Sequence, residues 1–475
     1  MDKFIDNIFK DIDKNITFDD NQKKIIKYLD SNLLVVAGAG AGKTTTISAK
    51  VNFMINFLNI KSKEILVISF TNKAVNEIDD YINKKMKLNV DILTFHKLAK
   101  NIIETEGYRF KLIDNDDLII KKIIKEKRTN EVIKFLWKKN KISKKFKDDI
   151  SNTNVLTKYT IENIKIIKAK AVDINKFKDD IYLKFLKQVI KELEKYKFNN
   201  NLLNFDDLIY KAEELICDNN FKYKYIIIDE YQDISKLRYN LIKKIKKNRI
   251  IIAVGDDWQS IYSFAGSNLN LFLEFSKSFN SKIMTIENTY RNSQQLINIA
   301  GNFVMKNKNL IIKNLSSKKS LENPITYTKK ENLEYIINYI IEKYGSGKKI
   351  LLLGRYKSDI NIINNNFTIK GDKITYNYNK DVEITFLTIH SSKGLGYDNV
   401  IILNNNKDKY GFPSYIKNDY FKKKYLKFDN LIDEERRLFY VALTRTKNEV
   451  VLLYDNKKSI FLKELKKEVK KLKIQ

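Results

Sequence analysis

Along this chain, short uninterrupted apolar runs alternate with longer stretches in which apolar residues recur every three or four positions. The runs Leu33-Leu34-Val35-Val36, Ile65-Leu66-Val67-Ile68, Val90-Asp91-Ile92-Leu93, Tyr225-Ile226-Ile227-Ile228 and Ile250-Ile251-Ile252-Ala253-Val254 have the length and β-branching of buried strands. After about Ser278 a second set follows, at Ile350 to Leu353, Ile384 to Thr388, Val400 to Leu403 and Val450 to Leu453. Helical periodicity fills the intervals. The opening helix is expected from Phe4 to Lys14, and an amphipathic one from Lys23 to Leu29 with Asp19 or Asp20 as its N-cap. Strand and helix in alternation predict an α/β fold with parallel sheets.

From about Thr105 to Asn200 the pattern changes to dense Lys, Ile and acidic residues at helical spacing, with one glycine and no strand. This stretch reads as a helical insertion, and the Lys-rich tail after Phe461 as a further helix. The predicted organisation is a first lobe from residues 1–104 and 201–278, an insertion over 105–200, and a second lobe over 279–475.

Composition narrows the chemistry. A single cysteine, Cys217, excludes an internal disulfide, a cysteine-ligated zinc site and a four-cysteine iron–sulfur cluster. No apolar run approaches the ~20 residues that span a bilayer, and Met1-Asp2-Lys3-Phe4 opens no signal sequence, so a soluble, cytoplasmic chain without membrane contact is expected. The net charge of +31 favours a polyanionic partner through counterion release. That argument is tempered by bias, since nine of the 89 basic residues are arginine and the rest lysine. The scarce residue types are more telling: seven of 14 glycines, five of the nine arginines and both histidines fall in the motifs below.

Ala37-Gly38-Ala39-Gly40-Ala41-Gly42-Lys43-Thr44-Thr45 follows the first strand and opens a helix, the order of a phosphate-binding P-loop. Small residues let backbone N–H groups wrap phosphates at a helix N-terminus. Lys43 would reach the outer phosphates of ATP and Thr44 would hold Mg²⁺. Asp229-Glu230, ending a buried strand, supply the acidic partner: Asp229 for the metal, Glu230 to orient and deprotonate water. Arg291 and Arg445, both in the second lobe, are candidates for the positive charge that phosphoryl transfer needs, which would make hydrolysis depend on lobe closure.

Together these motifs resemble superfamily 1 helicases of the UvrD/Rep type over nearly the whole chain, and within them the helicase IV branch through Gly255 to Tyr262 and Gly411-Phe412-Pro413. The resemblance implies two RecA-like P-loop NTPase lobes and ATP-driven 3′→5′ movement on single-stranded DNA. It implies that Gln22 reads adenine, Gln259 senses the γ-phosphate, Tyr290 stacks on the base, and Arg291 and Arg445 act as fingers. Phe70-Thr71-Asn72 and Thr94 to His96 would face the strand, with Tyr262 and Phe264 as stacking platforms and Arg355 and His390 on backbone or bases. Trp258 stands between core and DNA. Expected partners are single-stranded and tailed duplex DNA, and repair or defence proteins; the chain is expected to act as a monomer.

Two departures accompany the resemblance. Gly396 replaces a glutamate that contacts the ribose in the family, and about 96 residues between Arg291 and Thr388 leave no room for the large second-lobe insertion of bigger relatives. The second departure motivates an alternative, a DNA-stimulated translocase that does not unwind unaided. A non-catalytic single-strand-binding protein is disfavoured by intact Lys43, Asp229, Glu230, Arg291 and Arg445.

Overall fold

A computed structural model describes residues 1–140, 153–217, 220–415, 420–426, 431–466 and 468–471. The strands are β1 (Leu33–Ala37), β2 (Ile65–Ser69), β3 (Asp91–Thr94), β4 (Lys111–Leu112), β5 (Leu202–Leu203), β6 (Tyr225–Ile228), β7 (Ile250–Gly255) and β8 (Lys282–Ile286) in the first half. The second half adds β9 (Ile325–Lys329), β10 (Ile350–Gly354), β11 (Phe367–Lys370), β12 (Lys373–Tyr376), β13 (Asn379–Thr388), β14 (Asn399–Ile402), β15 (Val450–Tyr454) and β16 (Lys470–Lys471).

The first sheet is wholly parallel in the order β3-β2-β6-β7-β1-β8. Its inner strands β1 and β2 are buried along their full length because helices cover both faces, which is why their sequences run apolar without alternation. The registers Val36↔Gly255 and Ile228↔Ala253 bring the carboxyl ends of β1, β7 and β6 to one edge. That edge is where open parallel sheets bind ligands. β8 pairs with β1, so the first sheet extends past the boundary expected at Ser278.

The second sheet has the order β11-β12-β13-β10-β14-β15-β9-β16. Its strands from β13 to β16 are parallel as expected, and β11–β12–β13 add an antiparallel extension. Gly371, with φ +64°, makes the turn between β11 and β12 that an L side chain would strain. The Gly354↔Thr388 register sets the loops after β10 and β13 side by side. The residues between Arg291 and Thr388 form the lobe's own helices and strands.

Two terminal expectations need correction. The first helix spans only Asp2–Asn7 and then breaks into turns. In the tail, helix Ile460–Leu465 is followed by β16 paired to β9, and residues 472–475 lie outside the described residues.

The insertion is helical, with Asp117–Lys125, Asn130–Asn140, Thr153–Ala169 and Ile181–Asn199 around their own apolar core. β4 and β5 pair where the chain leaves and re-enters the first lobe. Lys197 and Lys168 bind the two oxygens of Asp207 there, at 2.6 and 2.9 Å, fixing the base of the insertion. From the second lobe, helix Tyr420–Tyr425 packs Phe421 and Tyr425 into the same core. Tyr420, Tyr425 and Lys424 all donate to one oxygen of Asp180, at 2.6, 2.5 and 2.9 Å. Among the described residues no helix is long and apolar enough to cross a membrane.

Candidate nucleotide cleft and nucleic-acid groove

The glycine loop leaves β1 and turns into helix Lys43–Asn56. Gly40 and Gly42 adopt φ +71° and +75°, and a Cβ at Gly40 would lie 2.5 Å from that of Arg291. Backbone conformation and close approach therefore both demand glycine at position 40. The interlobe segment is hydrogen-bonded onto this loop: Thr289 Oγ1 donates to the Ala39 carbonyl (2.7 Å) and the Tyr290 N–H to that of Gly40 (3.1 Å).

Lys43 points from the loop to Glu230, Nζ to Oε1 3.3 Å. Burial works against its ammonium, but Glu230, Asp256 and Asp229 outweigh it and hold its pKa above the ordinary value. Burial, and then the charge of Glu230, push the Asp229 carboxyl up, whereas Lys43 and Lys393 overcome burial to hold Glu230 down. Gln232 fixes Glu230 further, donating to Oε2 at 2.5 Å. The left-handed backbone at Glu230 (φ +52°) is strained for a non-glycine residue and turns its carboxylate into the cleft beside Lys43.

Asp229 is 4% exposed, and its Oδ1 has no hydrogen-bond partner in the fold. An orphaned buried carboxylate oxygen in a cleft that also holds Thr44 fits a Mg²⁺ site. No group of three acidic, histidine or cysteine side chains among the described residues could hold a metal alone, so such an ion would share phosphate oxygens.

The second lobe completes the cleft, whose volume is 660 Å³. Helix Leu431–Leu443 ends just before Arg445, which is 1% exposed and donates to Gln259 Oε1 at 2.9 Å. Gln259 in turn donates to Asp256 Oδ2 at 2.6 Å, tying Arg445 to the end of β7. Burial, and then the nearby Arg291 charge, pull the Arg445 pKa to about 9. Two guanidinium groups held close in a buried cleft repel, and an anionic ligand would relieve that. Arg291 rests on the carbonyls of Thr444 and Gly394, both at 3.4 Å. A Cβ at Gly396 would stand 3.1 Å from its Nε, so the arginine fills the space a side chain there would take.

At the other end of the cleft, the Gln22 amide donates to Thr46 Oγ1 (2.9 Å) and accepts from the Asp19 N–H (3.1 Å) and the Tyr290 hydroxyl (3.4 Å). Tyr290 is 47% exposed, leaving a free ring face for a base.

A second cavity, of 860 Å³, runs between the first lobe and the insertion and gathers Phe70, Thr71, Asn72, Thr94, His96 and Phe264. The Thr71 and Thr94 hydroxyls cap helices Asn72–Asp79 and Phe95–Thr105, each accepting a backbone N–H at 3.2 Å. Two helix N-termini thereby open on the groove, where their partial positive charge suits phosphates. Phe264 is 54% exposed, and its ring meets His390 at 5.2 Å and Tyr262 at 6.0 Å. The Tyr262 hydroxyl donates to the His390 carbonyl at 3.1 Å, so this aromatic cluster spans both lobes. Burial lowers His96 and His390 to about 4, helped by Arg238 and Arg355 respectively, so both are neutral near pH 7.

Of two further candidates for DNA contact, one is buried and the other is already ion-paired. Trp258 is 2% exposed, packs edge-on against Tyr440 at 5.4 Å and donates its indole N–H to the Ile311 carbonyl at 2.9 Å. So enclosed a ring has no face for a base, and Trp258 is a core residue. Arg355 is locked to Glu435 by Nε and Nη2 at 3.0 and 2.6 Å, so its charge is already matched.

Sequence reasoning missed two residues. Lys393 bonds Asp233 Oδ2 at 2.5 Å and approaches Glu230 Oε2 at 3.7 Å, joining the lobes beside Glu230. It stands just before Gly394 and Gly396 in a glycine-poor chain, which marked the segment but not this side chain. Arg238 lines both cavities and lies over Phe70 (5.5 Å). Its rarity as one of nine arginines was the available signal.

Two α/β lobes sharing a P-loop cleft define the class of P-loop folds with two lobes. The model of the UvrD/REP helicase N-terminal domain matches residues 18–280, and the chain belongs to the UvrD/REP helicase family. It is 26% identical to "DNA helicase IV" of Escherichia coli (strain K12) over 90% of this chain and 66% of that protein. It is 33% identical to "ATP-dependent DNA helicase Rep" of Buchnera aphidicola subsp. Acyrthosiphon pisum over 72% of this chain and 55% of that one. With "ATP-dependent DNA helicase PcrA" of Staphylococcus aureus (strain Mu50) identity is 27%, over 69% and 46%. The chain thus spans about half to two thirds of the length of these relatives.

Proposed function

We propose that this chain is an ATP-driven motor that moves 3′→5′ along single-stranded DNA and separates tailed duplexes. The observation that carries the reading is the division of the phosphate-facing charge, with Lys43 and Glu230 on one lobe and Arg291, Lys393 and Arg445 on the other. Hydrolysis then depends on both lobes meeting, and Tyr262 and His390 link that meeting to the groove.

Thr44 and Asp229 would hold Mg²⁺, which when bound adds positive charge at the phosphates. Gln22 and Tyr290 bind and orient the base. Glu230, kept ionised by Lys43 and Lys393, orients the attacking water and accepts its proton. Lys43, Arg291 and Arg445 neutralise charge in the transition state, a finger arginine contributing ~10³–10⁵ in rate. Phe264 and Tyr262 hold bases by stacking at ~1–3 kcal/mol each, without reading sequence.

A second reading, translocation without autonomous unwinding within a repair or defence complex, is favoured by the compact course of the chain between Arg291 and Thr388. ATPase measured with single-stranded DNA, duplex DNA and RNA, beside strand separation on a tailed duplex, tests both. DNA-stimulated turnover with unwinding supports the first reading, and turnover alone supports the second. Turnover unaffected by Lys43→Ala would refute the site.

A further inference from the structure

We infer that Lys50 is a positioning residue for nucleobase selection, fixing the helix that carries Gln22 against the P-loop helix. The inference rests on the reading of Gln22 as the base contact.

Lys50 lies seven residues beyond Lys43 on helix Lys43–Asn56, two turns along the same face, and is 2% exposed. Its ammonium donates to the carbonyls of Ile25 (2.9 Å), Ile26 (3.3 Å) and Tyr28 (2.5 Å). These carbonyls belong to the final turn and C-cap of helix Asp20–Lys27, where a helix end runs short of intrahelical donors; that of Ile25 also takes the Tyr28 N–H at 3.3 Å. One turn earlier on the P-loop helix, Thr46 Oγ1 takes the Gln22 amide at 2.9 Å. A single face of the P-loop helix thus grips the Gln22 helix at both ends.

The choice of lysine is informative. A buried ammonium costs more than a methionine of similar length would, unless its N–H groups are all used. Burial pulls the Lys50 pKa down to about 7, and in the charged form three donors meet three acceptors, whose directed bonds fix orientation in a way that packing alone does not. The Gln22 amide is held by Asp19, Thr46 and Tyr290 within one small frame. A shift of that helix by a fraction of an ångström would misplace the frame relative to the phosphates without disturbing Lys43, Glu230 or Arg445.

The test compares DNA-stimulated hydrolysis of ATP and GTP by wild type, Gln22→Ala, Lys50→Met and Lys50→Arg, with thermal unfolding of each. Gln22→Ala should collapse the ATP/GTP ratio of kcat/KM. Lys50→Met should lower that ratio about tenfold, the scale of losing a directed hydrogen bond to a charge, through KM for ATP with kcat little changed. Lys50→Arg should restore most of it. The inference is overturned if Gln22→Ala collapses the ratio and Lys50→Met preserves it, or if Lys50→Met lowers turnover of both nucleotides equally. If Gln22→Ala itself leaves the ratio intact, the base-contact reading fails first. Should Lys50→Met not fold, Lys50→Gln, which keeps two N–H donors, is judged by the same ratio.

Discussion

Replacing Lys393 with methionine removes one ammonium and keeps most of the apolar stem. The ammonium sits 2.5 Å from Asp233 Oδ2, with 8% and 7% of the two side chains exposed. Burial raises the Asp233 carboxyl to about 6 although Lys393 opposes it, so at pH 7.5 the acid is ionised and paired. Ionisation 1.5 units above that pKa corresponds to about 2 kcal/mol, which the methionine variant forfeits as Asp233 takes up a proton. Losing the weaker attraction to Glu230 at 3.7 Å adds to this, and ~3–5 kcal/mol for breaking a buried pair is the ceiling. Because the pair joins the lobes, the loss falls on closure rather than on either fold. DNA-stimulated kcat/KM for ATP should drop about 30-fold or more at pH 7.5, with unfolding midpoints nearly unchanged. The gap to wild type should narrow below pH 6, where Asp233 is protonated in both. Activity within threefold of wild type at pH 7.5, or a gap indifferent to pH, would refute the reasoning.

Removing both ring platforms, Tyr262→Ala with Phe264→Ala, should weaken single-stranded DNA binding by about 2–6 kcal/mol while basal ATP binding persists, as read by fluorescence anisotropy. His96 and His390 are neutral in the fold with pKa values near 4, below the unfolded value. The unfolded chain therefore binds more protons between about 6.5 and 4, and stability falls as pH drops through that window, by up to about 3 kcal/mol per histidine. Denaturant titrations should recover part of that loss in a double His→Asn variant, and an unchanged slope would contradict it. Asp180→Asn leaves Tyr420, Tyr425 and Lys424 without their shared carboxylate. Deuterium uptake over residues 420–426 should rise severalfold relative to helix Ile181–Asn199, and equal uptake would show the bridge to be idle.

What the sequence could disclose follows from how local each feature is. The P-loop is dictated by a contiguous backbone path, so glycine spacing alone exposed it, and Gly40 and Gly42 take the expected positive φ. Asp229 and Glu230 were legible because a buried strand must end where it meets them. Lys393 was not, since its partners stand 160 and more residues away and nothing local distinguishes it among so many lysines. Lys313 is another such case, buried against Asp257 at 2.6 Å and against Asp256. Trp258 stayed open between core and DNA because a ring in a motif looks the same whether it points out or in, and only the packing of Tyr440 decides. The ion pair of Arg355 was hidden for a similar reason: its carboxylate arrives from a helix 80 residues on. The β11–β12 hairpin was recoverable from Gly371-Asp372 between two alternating runs.

The central claim is that one catalytic site is divided between two lobes and that DNA acts through their closure. Arg445 tests it most directly, since it lies on the second lobe, is buried, and reaches Gln259 on the first. Steady-state ATP turnover by Arg445→Ala should be measured with saturating single-stranded DNA, beside its DNA affinity. The account predicts turnover reduced ~10³-fold or more with DNA affinity retained. Turnover equal to wild type would contradict it.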